Sequence, residues 1–137
     1  MLAGKWTYRS YVNSTDLVGN DPNKALALVF GEGVYTLETP SSTAVRGNLD
    51  MGGGFVLDLQ GTIEPAGDAL LTVAMAGIGR TGTPTEGWEY DYYAFLAHEW
   101  PNGVDQVPAL VGTVIRAKPH NGAPAGVVVS FIAVKQP

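Results

Sequence analysis

Apolar and polar residues alternate with period two along most of the chain, and glycines and prolines cut the alternation into short runs. The pattern predicts eight strands: Gly4–Tyr11, Ala25–Thr39 with a bulge at Gly31-Glu32-Gly33, Thr43–Met51, Phe55–Glu64, Ala69–Ile78, Trp88–Trp100, Leu110–Lys118 and Gly126–Lys135. The fourth is the cleanest, with Phe55, Leu57, Leu59 and Ile63 on one face and Asp58, Gln60, Thr62 and Glu64 on the other. Turn signals lie between the runs: Met51 to Gly54, Pro65-Ala66-Gly67-Asp68, Pro101-Asn102-Gly103 and, strongest of all, His120-Asn121-Gly122. The link Val12–Lys24 is longer, with Leu17 and Val18 inside it, and a short helix there would take Ser14 or Thr15 as its cap. Ala25–Phe30 also reads as the start of a short helix that the glycines at 31 and 33 would end.

Consecutive strands joined by short turns make an antiparallel meander, and closing a meander removes both of its edges. The expected class is therefore all-β, an eight-stranded antiparallel up-and-down barrel, in one domain spanning residues 1–137. A sandwich, the alternative, usually needs Greek-key crossovers, which short turns disfavour.

Composition narrows the function classes. The chain has no cysteine, which excludes a disulfide framework, a thiolate metal site and a cysteine nucleophile. Its net charge of -5 argues against a nucleic-acid surface and against a polybasic membrane patch. No apolar run reaches the ~18 residues of a membrane-spanning helix, so a soluble protein is expected, with no membrane insertion. No targeting leader opens the sequence, and the compartment stays open.

Strand six carries the candidate chemistry. Glu89, Asp91 and Glu99 share its odd face, which places that face in solvent, because unpaired charge is costly to bury. The even face then lines the interior with Trp88, Tyr90, Tyr92, His98 and Trp100, and strand one adds Trp6, Tyr8 and Ser10 in the same phase. An aromatic wall with a few hydroxyls and an imidazole suits a small hydrophobic, aromatic or flat ligand. The expected ligand-binding residues are Tyr8, Ser10, Trp88, Tyr90, Tyr92, His98 and Trp100. His120 falls in a turn and is expected in solvent. Arg80, beside a flexible loop at Thr81–Gly87, is either a solvated rim charge or a contact for an anionic ligand. Gly77-x-Gly79-x-x-Gly82 matches the dinucleotide pattern by letter, but no helix follows to hold a pyrophosphate. Two distant histidines do not make a zinc site, a haem would have only His98 as axial ligand, and no cofactor is expected. Tyr93 and Phe95 project outward from strand six and strand eight is apolar on both faces, so a homodimer or higher homo-oligomer is expected.

Gly4-Lys5-Trp6, at the start of the first strand, resembles the Gly-x-Trp signature of the calycins, the lipocalin and avidin group of barrels. The resemblance implies that Trp6 plugs the closed end and that a basic residue from a late strand, Arg116 here, covers it, both as structural elements. The chain departs from lipocalins in its length and in lacking a C-terminal helix, and is nearer streptavidin-like proteins in both; no set of biotin contacts carries over. A second stretch, Leu57-Asp58-Leu59-Gln60-Gly61 followed by Leu71-Thr72-Val73 and Gly77-Ile78-Gly79-Arg80-Thr81-Gly82, resembles the layout of allene oxide cyclase and dirigent barrels, without their Gly-Gly-Thr-Gly element. Three functions follow from these readings. The first is a small-molecule binding barrel. The second is a cofactor-free isomerase or cyclase using His98, Tyr90, Tyr92 and Glu99 in the same cavity. The third is a structural or oligomerisation module whose interior is filled.

Overall fold

Each alternating run folds as a strand and pairs antiparallel with the next: β1 (Gly4–Val12), β2 (Val29–Ser41), β3 (Ala44–Asp50), β4 (Val56–Glu64), β5 (Thr72–Gly79), β6 (Glu89–Leu96), β7 (Ala109–Arg116) and β8 (Val128–Lys135). β1 also pairs with β8, so the eight-stranded meander closes into an all-antiparallel barrel. The computed structural model describes residues 2–14, 16, 19–64 and 71–137. The expected cap Thr15, the loop residues Leu17 and Val18, the turn Pro65–Asp68 and the expected start of strand five at Ala69 lie outside the described residues. Among those described, no helix is long and apolar enough to cross a membrane.

The second strand starts later than expected. Pro22–Leu28 is instead a 3-10 helix, capped by Asp21, whose carboxylate accepts from the Asn23 amide at 3.0 Å. Pro22 suits the first helical turn, where no N–H is needed. Ala25, Leu26 and Ala27 are exposed because they have no alternating pattern with which to face a sheet. The bulge lies one residue before its expected place: Gly31, Glu32 and Gly33 pair in regular register with Ser10, Arg9 and Tyr8. Ser10 pairs with Gly31 but Tyr11 pairs with Val29, so Phe30 is the extra residue.

The sixth strand is shorter than expected and stops at Leu96. Pro101 offers no ladder donor, and β7 begins only at Ala109, whose carbonyl accepts from the Ala97 amide at 2.7 Å, so the residues after Ala97 have no strand to pair with. Trp100, Pro101, Asn102 and Gly103 form a turn closed by the Gly103 amide donating to the Trp100 carbonyl at 2.9 Å. The Gln106 side chain clasps Trp100 from both sides, accepting from its amide at 2.6 Å and donating to its carbonyl at 3.0 Å. His98, Glu99 and Trp100 are consequently exposed, Trp100 to 71%.

Alternate residues of every strand point inward. At the end where β1 begins, Trp6, Leu37, Leu96 and Leu110 fill the barrel. Trp6 is fully buried there, as the calycin resemblance implies, and its Nε1 donates to the Leu2 carbonyl at 2.8 Å. Its basic neighbour is Lys135, with Nζ 5.6 Å from the ring centre. The expectation that Arg116 covers Trp6 is overturned by strand direction. β8 ends beside β1's start, where Trp6 pairs with Lys135, whereas β7 runs the other way and carries Arg116 to the opposite end, opposite Tyr90.

Candidate functional site

Halfway along the barrel, Tyr8, Tyr35, Tyr92 and Phe131 turn their rings into one another, with centroids 4.9–6.2 Å apart in tilted and edge-on arrangements. This cluster is a floor. Above it, at the end where β1 finishes, lies a cavity of about 350 Å³. That volume falls in the range of small-molecule sites, about 300–1,000 Å³.

Two inward glycines shape the packing around the cavity. Gly31 lines it directly, and a Cβ there would press on the Ser10 hydroxyl at 3.3 Å. On β5, Gly77 cedes its inward position to the Tyr92 ring, whose Cε2 lies 3.0 Å from where a Cβ would be. The rim is aromatic: Phe30 from the bulge, Phe55 from the β3–β4 turn and Trp88 at the entry to β6.

Of the residues expected to bind ligand, Tyr8, Ser10, Trp88, Tyr90 and Tyr92 all line this cavity, and Arg116 joins them. His98 and Trp100 do not. Their expected interior placement fails with the early end of β6, and they stand on a solvent loop at the other end of the barrel. His98 and Glu99 are therefore also separated from Tyr90, so the acid-base set expected for an isomerase is not assembled. Arg80 lies outside the cavity in a two-point ion pair with Asp58, with contacts of 2.6 and 3.2 Å. The guanidinium's hydrogen bonds hold the Asp58 carboxyl below its ordinary value. The loop after it is tied down rather than loose: Thr85 is buried and its hydroxyl donates to the Val56 carbonyl at 2.6 Å.

Sequence reasoning missed His120. It is half-buried, stacked on Trp88 at 3.8 Å with planes 14° apart, and its Nε2 lies 2.6 Å from the Tyr90 hydroxyl oxygen. The hairpin expected from Asn121-Gly122 is what puts it there. Both residues have positive φ, 49° and 76°, and the turn pairs His120 with Ala123. The β6–β7 ladder accounts for its height: with Tyr90 opposite Arg116, a histidine just past the strand end comes level with the residues that precede Tyr90.

One hydrogen-bond chain links the polar groups. Arg116 Nε donates to the Tyr90 oxygen at 3.1 Å, and Arg116 Nη1 donates to the Pro124 carbonyl at 3.2 Å. The Tyr90 oxygen thus accepts from a cation and shares a hydrogen bond with His120 Nε2. Burial, and then the charge on Arg116, lower the His120 pKa, so the ring is neutral at neutral pH. His120 Nδ1 is buried with no hydrogen-bond partner among the described residues. Burial raises the Tyr8 hydroxyl to about 12 despite its hydrogen bond to Ser10, and raises Tyr92 as well, so the floor offers neutral hydroxyls.

No protein-family model matches the chain, and no curated protein or solved structure matches it significantly.

Proposed function

We propose that the protein is a small-molecule binding barrel of calycin-like type that takes a flat or largely apolar ligand through one end. The observation that carries this reading is the cavity of about 350 Å³ between the aromatic rim and the ring floor. A barrel this size can fill its interior with side chains; this one fills only its far half. The buried Trp6 of the Gly-x-Trp segment at the blind end supports the calycin-like assignment.

Trp88 is the natural reporter. Trp6 is sealed at the other end and Trp100 is in solvent, so only Trp88 lines the cavity. Titration with a set of flat aromatic and fatty compounds is expected to give saturable quenching of tryptophan fluorescence, and Trp88→Phe is expected to remove most of it. A set that yields no saturable quenching would overturn the binding reading in favour of a structural module.

A second reading, a cofactor-free isomerase or cyclase in the same cavity, draws on the short Tyr90–His120 hydrogen bond, a neutral imidazole and a phenol in proton-transfer contact. It differs in one measurable respect: a bound ligand would be recovered converted rather than unchanged. The proposal also includes a second copy of the chain as partner, through the outward apolar side chains of β5, β6 and β8, among them Ile78, Tyr93, Phe95 and Ile132.

A further inference from the structure

The cavity wall holds a single formal charge. Arg116 is 7% exposed, and none of the residues lining the cavity is an aspartate or glutamate. No carboxylate among the described residues pairs with it. The acids that flank Tyr90 on β6, Glu89 and Asp91, alternate onto the strand's other face, and Glu89 is paired with Lys118 at 4.0 Å. A guanidinium cannot shed its charge by deprotonating. Burying it without a counter-ion is costly, and structures tolerate that cost mainly where function requires it. Its contacts are neutral: the Tyr90 hydroxyl, the Pro124 carbonyl and the faces of Phe30 and Tyr90, at 5.5 and 5.8 Å from the guanidinium carbon. These hold the side chain in one orientation and leave the rest of its fork without a hydrogen bond to any described residue. His120 adds a second polar atom without a hydrogen bond to any described residue, Nδ1, on a ring anchored to the same Tyr90 oxygen.

We propose that the ligand of this cavity is an apolar carboxylic acid, bound as its anion, with the carboxylate on Arg116 and the apolar body on the aromatic floor. The inference rests on the binding reading above and adds the ligand's charge and its orientation. A planar fork matches a planar carboxylate at two points. One buried cation balances one negative charge, whereas a phosphate monoester, at about -1.5 to -2, would bring charge that nothing in the cavity offsets. Orientation follows from the layers. Arg116 and Tyr90 form the pair nearer the rim, and Tyr92 pairs with Val114 one step deeper. The acid group therefore sits outward, beside Arg116, and the apolar part points down toward Tyr8 and Tyr92.

The test compares shape-matched acids and neutral analogues by calorimetry on the unmodified protein: naphthoate against naphthamide, and decanoate against decanol. A charge-assisted bond in a desolvated site is expected to favour each acid by about tenfold or more. Arg116→Gln is expected to bring each pair within about twofold, while Arg80→Gln, which removes a surface cation outside the cavity, leaves the preference intact. Equal affinity of acid and neutral analogue for the unmodified protein would overturn the carboxylate assignment and leave the binding reading standing. A preference that survives in Arg116→Gln, or one that disappears in Arg80→Gln, would also overturn it. Absence of binding by all four compounds would overturn both readings together. Because the first comparison needs no variant, it decides the question even if Arg116→Gln fails to fold.

Discussion

Tyr8, Tyr35 and Tyr92 carry three hydroxyls into the barrel interior, and desolvation makes each reluctant to ionise. Tyr8 moves from the ordinary 10 up to about 12, and the other two move in the same direction. Between those values the folded chain keeps protons that an unfolded chain has released, so stability falls as pH rises. Their contribution is fully present below about 10 and is lost as pH climbs through 10 toward 12 and beyond. Tyrosinate absorbance is therefore expected to rise together with loss of the sheet circular dichroism signal in strong alkali. Ionisation of these tyrosines with the sheet signal unchanged would contradict their burial. At this scale the phase of strand six was legible: glutamate and aspartate on odd positions predicted that Tyr90 and Tyr92 face inward, and they do. Arg116 and His120 were not legible to the same degree. Which end of a barrel a cation reaches depends on strand direction, and which way a turn residue turns its ring depends on the neighbour it meets, here Trp88.

Along single elements, side-chain absence matters as much as side-chain pattern. Gly112 faces inward midway along β7, opposite Ala94, and a Cβ there would overlap the Tyr93 carbonyl oxygen. The two strands approach so closely that neither backbone can yield without disturbing the ladder. Gly112→Ala is expected to cost about 1–3 kcal/mol, the range for overpacking, and to lower the midpoint of a urea melt accordingly. An unchanged midpoint would mean that β6 and β7 are not held at this separation. Period-two alternation predicted all eight strands because one-sided burial writes itself directly into sequence. Ends were harder. The polar-apolar rhythm of Ala97 to Trp100 continues past Leu96, and only the lack of a partner strand at that height stops β6. Ala25–Leu28 shows the converse, a run whose residues suit a strand or a helical turn and whose cap, Asp21 before Pro22, settles the matter.

For the whole molecule, closure removes the strand edges but leaves an apolar band outside. Register places Phe95 beside Val111 and Val111 beside Ile132, one continuous row across β6, β7 and β8. Tyr93, 51% exposed, stands in the adjacent row. Contiguous apolar surface of this kind predicts self-association, so light scattering is expected to give a mass at least twice that of one chain, and Tyr93→Lys with Ile132→Lys is expected to shift it toward one. A single-chain mass for the unmodified protein at micromolar concentration would count against it. The ring floor of Tyr8, Tyr35, Tyr92 and Phe131 has a different consequence, one of traffic. The barrel axis is blocked, so the molecule is a cup and not a conduit: a guest of the proposed kind would have to depart by the door it entered, after reversing its whole inward path. Under the proposed function, residence time would be governed at that one door, by how readily Phe30, Phe55 and Trp88 step aside, while the depth of the cup would limit how long a guest can be.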